Sequence, residues 1–131
     1  MFLNLLTAKE KLAFLSLAKK LIVSDQVVAQ SEEVLFRSMK YEVEILEEAT
    51  SELNDEEINN MPENIPHICA VFESKKSKIS TLMELVALGF VDGKLVPQER
   101  ELLYEIAHHF GIKREETDSY IEWAARLYLD K

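Results

Sequence analysis

The stretch FVDGKLVPQERELLYEIAHHFG, residues 90–111, decides how the chain is read. Asp92-Gly93, then Leu95, then Glu99 spells the back half of a calcium-binding loop. With Asp92 at the fifth position of an EF-hand loop, Gly93 takes the glycine position. Leu95 then takes the hydrophobic eighth position, and Glu99 the bidentate last one. The first and third positions fall on Leu88 and Phe90, which carry no side-chain oxygen. EF-hand calcium binding is therefore not expected. The same letters describe a helix that stops at Asp92-Gly93, where glycine can turn into the left-handed region. A second helix opens at Pro97, a residue suited to a first turn. It carries Leu102, Leu103, Ile106, Ala107 and Phe110 at helical spacing and stops at Gly111.

Working outward, the same grammar recurs. Thr7 and Glu10 form a capping box before Leu12, Leu15, Ala18, Leu21 and Ile22, which predicts a helix over 8–24. Leu35, Phe36, Met39, Val43, Leu46 and Ala49 predict a long second helix from about 31 to 53, with Glu42, Glu44, Glu47, Glu48 and Glu52 on its later turns. Asn54 is placed to cap a short turn. Pro66 suits the first turn of a short helix over 66–74, with Ile68, Val71 and Phe72 inward. SKKSK reads as a polar junction, and 78–91 as the most apolar helix, central to the core. The last helix, over 114–129, presents Tyr120, Ile121, Ala124, Leu127 and Tyr128. No stretch alternates with period two long enough to be a strand. The expected fold is all-α, one compact single-domain bundle of six to seven helices spanning 1–131.

Composition agrees with this. In 131 residues there are three Gly and three Pro, too few for the many turns of an all-β fold. The net charge of −9 disfavours nucleic-acid and anionic-membrane partners, since it repels phosphate. Cations or a basic protein surface fit better. The single cysteine, Cys69, rules out an internal disulfide and suits a reducing compartment. No basic run precedes FLNLL, and the longest apolar run, LVALGFV, is too short to span a bilayer. The expectation is a cytoplasmic protein without direct membrane insertion.

The chain also repeats itself. With LIVSDQVVAQSEEVLFRSM (21–39) set above LGFVDGKLVPQERELLYEI (88–106), Asp25 falls on Asp92 and Glu32 on Glu99. Leu21 meets Leu88, Val28 meets Leu95, and Leu35 meets Leu102. Each half is a helix, an acidic turn and a second helix opened by Glu, which predicts two pseudo-symmetric helix-hairpin halves, about 8–50 and 78–111. Asp25, Glu32, Asp92 and Glu99 are the candidate metal ligands. Brought face to face, they would offer hard oxygens to Ca²⁺, Mg²⁺ or Mn²⁺. Each also has a purely structural reading. Glu32 and Glu99 sit in first helical turns, where a carboxylate caps backbone N–H groups and meets the positive end of the helix dipole. Asp25 and Asp92 can accept N–H bonds inside their own turns.

The pattern Asp92, Gly93, Leu95, Glu99, then Leu102, Leu103, Ile106, Ala107, Phe110 and Gly111, echoed by Asp25, Val28 and Glu32, resembles the TerB-like family. That family includes the tellurite-resistance protein TerB and the N-terminal domain of a membrane-anchored DnaJ-type co-chaperone. The resemblance covers both hairpins and leaves 51–78 unmatched. The first repeat departs from it by lacking glycine after Asp25. It implies an all-helical fold of two related halves and an acidic surface with proposed divalent-metal binding, in a tellurite-resistance or stress-response setting. It implies no reaction.

Other candidates are weaker. Glu105 with His108 or His109 has ligand-like spacing, but no second His/Cys cluster completes a zinc site. Histidines in a last turn also suit the helix dipole. Cys69 in HICAVF reads as a small buried side chain rather than a nucleophile. No nucleophile–base pair or phosphate-cradling loop occurs, so no enzymatic activity and no catalytic residue is expected. The leading expectation is a non-enzymatic module that binds a protein partner and a divalent cation. The alternative is a metal-free interaction domain that docks a basic or membrane-associated partner, with Trp123 as a contact residue.

Overall fold

Seven α-helices make up the structured part of the computed structural model: α1 (Ala8–Ser24), α2 (Glu32–Glu52), α3 (Asp55–Asn59), α4 (Ile65–Ala70), α5 (Lys75–Gly89), α6 (Pro97–His109) and α7 (Arg114–Leu129). The structure describes the backbone of 5–24, 32–90 and 95–129, and the side chains of these except 32–39, 41, 128 and 129. Among the described residues there is no strand, and no helix is long and apolar enough to cross a membrane.

The boundaries follow from local chemistry. Thr7 Oγ1 accepts the Glu10 N–H at 3.2 Å while Glu10 Oε1 accepts the Thr7 N–H at 2.9 Å, so the expected capping box starts α1. Asn54 and Glu57 repeat the device at α3, at 2.8 and 3.2 Å. At α4 the Asn64 side chain accepts the His67 N–H at 3.0 Å, and Pro66 sits in the first turn. Pro97 opens α6, and Gly111, with φ +77°, follows its end. That φ is comfortable only without a Cβ.

Three boundaries differ from expectation. The short helix is Ile65–Ala70, not 66–74. SKKSK is not a junction but the start of α5, because Ser74 and Ser77 cap each other: Ser74 Oγ accepts the Ser77 N–H at 3.0 Å, and Ser77 Oγ accepts the Ser74 N–H at 3.3 Å. At its far end α5 closes at Gly89, short of the expected 91, because the Phe90 N–H turns back onto the carbonyls of Val86 and Ala87 and caps it there.

Helix α1 is the axis of packing. It lies against α2, α4, α5 and α6, while α5 also packs on α6 and α7. Phe14, Leu17, Leu21, Ile68, Leu82, Leu85, Leu103 and Ile106 are fully buried. At roughly 1.5–3 kcal/mol for each fully buried large apolar side chain, this cluster is the main source of stability. The Phe72 and Phe110 rings meet edge to face, 5.2 Å between centroids, and tie the end of α4 to the end of α6. On α7, Arg114 stacks 3.9 Å from the Tyr104 ring centroid, and the Tyr104 hydroxyl donates to Asp118.

The outer helices depart from the expected stripes. In α2, Ile45 and Ala49 are buried, whereas Val43 is 63% and Leu46 38% exposed. In α7, Ile121 and Ala124 face the core, and Leu127 is exposed rather than inward. Both helices rest on the bundle by one side only. A periodic apolar stripe therefore has more width than there is surface to cover it.

Candidate functional site

The four candidate ligands are seen unequally. Asp25 and Asp92 lie outside the described residues, as does Gly93. Glu32 is the first residue of α2, and its side chain lies outside them too. Glu99 is described. It sits in the first turn of α6, is buried, and its Oε1 accepts the Val96 N–H at 3.2 Å. Val96 has no side-chain oxygen to return, so this is one arm of a capping box. This bond bears out the structural reading of Glu99.

The other oxygen faces the end of α5. A Cβ built on Gly89 would stand 3.8 Å from Glu99 Oε2, 4.0 Å from Leu21 Cδ2 and only 2.5 Å from Leu95 Cδ1. The absence of a side chain at Gly89 is what lets these three elements close on one another. The last turns of α1 and α5 and the first turn of α6 therefore meet at one end of the bundle. Ser24, the residue before Asp25, lines an open hollow of about 800 Å³ together with Pro97, Gln98, Glu101 and Glu105 of α6. The Ser24 hydroxyl donates to the Leu21 carbonyl at 2.6 Å and closes the last turn of α1. So the last residue of α1 lies beside the helix that carries Glu99. Two further carboxylates, Glu101 and Glu105, border the same hollow.

Among the described residues no three His, Cys, Asp or Glu side chains stand together as a metal site. Among the described residues Glu105, His108 and His109 do not form such a group, and the two histidine rings stack edge to face on an exposed last turn. His67, inside the first turn of α4, pairs through Nδ1 with the capping Asn64 at 2.6 Å. Cys69 is buried, with Sγ 4.0 Å from the Ile106 carbonyl. Burial, with help from the Glu105 charge and against Lys78, pushes its thiol up to about 12. A thiol that stays protonated is a packing group, not a nucleophile.

The burial of Glu10 has no signature in the sequence. Glu10 is 4% exposed. Besides the Thr7 N–H, it accepts the Glu73 N–H at 3.0 Å on Oε2, so it joins the start of α1 to the residue before the α5 cap. Burial pushes its pKa up, but the backbone N–H groups of Thr7 and Glu73 and the hydroxyls of Ser77 and Thr7 outweigh it and hold the carboxyl below its usual value. The capping box was readable in the sequence. The reach across 63 residues was not.

No protein-family model, no curated protein and no solved structure matches this chain. Its functional reading rests on its own residues.

Proposed function

We propose that this is a non-enzymatic, TerB-like helical module that binds a protein partner, and that a divalent cation sits at the end of the bundle where its two acidic turns arise. The observation that carries the cation is the meeting of Leu21, Gly89, Leu95 and Glu99, with Ser24 across the hollow from Pro97 and Gln98. Elements that diverged would send Asp25 and Asp92 apart. Here the last turns of α1 and α5 meet beside the buried Glu99. Oxygen-only ligands at such a place suit Ca²⁺, Mg²⁺ or Mn²⁺. The resemblance to the TerB-like family points the same way, and a tellurite-resistance or stress-response setting is part of the proposal.

The test is thermal unfolding of EDTA-treated protein with and without each cation, alongside the D92N/E99Q variant. Glutamine at 99 keeps an oxygen for the Val96 N–H, so the cap survives and the charge is lost. A cation that binds only the folded state at about 100 times its Kd adds roughly 2.7 kcal/mol. A raised midpoint that the variant loses supports the site. No rise with any cation removes it.

A second reading, a metal-free interaction domain that docks a basic or membrane-associated partner, is favoured by Trp123, which is 50% exposed beside exposed Leu127 on the next turn. A large aromatic left half in water is a common interface anchor. Loss of a binding partner with Trp123→Ala, with unfolding unchanged, would support it.

A further inference from the structure

We draw no further inference here: the strongest candidate, the cluster of Lys75, Lys76 and Lys78 at the start of α5, rests on a helix N-terminus beside the exposed Glu73, with nothing among the described residues that points to a ligand there.

Discussion

Helices α5 and α2 both carry an apolar stripe in sequence, and the molecule treats them differently. Helix α5 is clasped by α1, α6 and α7, so Leu82, Leu85, Val86 and even the hydroxyl of Thr81 are sealed from water. Helix α2 packs chiefly on α1, buries Ile45 and Ala49, and leaves Val43 and Leu46 outside. Apolar content does not decide burial. The number of neighbours a helix has decides it.

The comparison is broken most easily at its strong end. Leu85→Ala, at a fully buried position, should cost about 2–5 kcal/mol in urea unfolding, because the three helices around it cannot all collapse into the space. A cost under about 1 kcal/mol would mean that α5 is not the centre of the core. Next comes the strap that fixes α1 to α5. Glu10→Ala leaves the N–H groups of Thr7 and Glu73 without their acceptor and should cost about 1–3 kcal/mol. Its pH dependence has a definite sign. The folded-state pKa of Glu10 lies below the ordinary value of 4.5, so its charge favours folding above that pH, and the advantage is lost as pH falls through the lower, folded value. The stability gap between wild type and the variant should hold near neutrality and shrink in acid. A gap that grows in acid would be the wrong sign.

Smaller effects sharpen the picture. The Thr81 hydroxyl is buried without a hydrogen-bond partner among the described residues. Thr81→Val should raise stability by about 1 kcal/mol, since a methyl replaces an unsatisfied polar group. A loss would reveal a bond to the hydroxyl. At the weak end, Val43→Ser and Leu46→Ser should move stability by no more than about 0.5 kcal/mol, as expected of a surface that packs on nothing within the chain. A cost like that of Leu85→Ala would erase the contrast between the two helices.

Much of the fold could be read from the sequence because it is written in local terms. Thr7 with Glu10, Asn54 with Glu57, Pro97 and Gly111 each act within four residues, and each sits where the pattern put it. The α5 start was missed because Ser77 does the work usually done by Glu or Gln in a capping box. The exposure of Val43, Leu46 and Leu127 was missed for a different reason. Periodicity reports which residues share a face, not whether another helix lies over it. The reach of Glu10 to Glu73 is long-range and has no local signature. At the candidate site the sequence supports Glu99 both as a cap and as a ligand, and the bond from the Val96 N–H shows the cap. The gathering of Leu21, Gly89 and Leu95 around it depends on packing, which no spacing encodes.

The most direct test of the proposed cation site is a titration of ¹⁵N-labelled protein with Mn²⁺, whose unpaired electrons broaden nearby amide signals. The expected result is early, saturable broadening of Ser24 and of Leu95 to Glu99, lost in D92N/E99Q, with Glu44, Glu47 and Trp123 unaffected. Broadening that starts on the acidic turns of α2, or spreads evenly over all surface carboxylates, would contradict it.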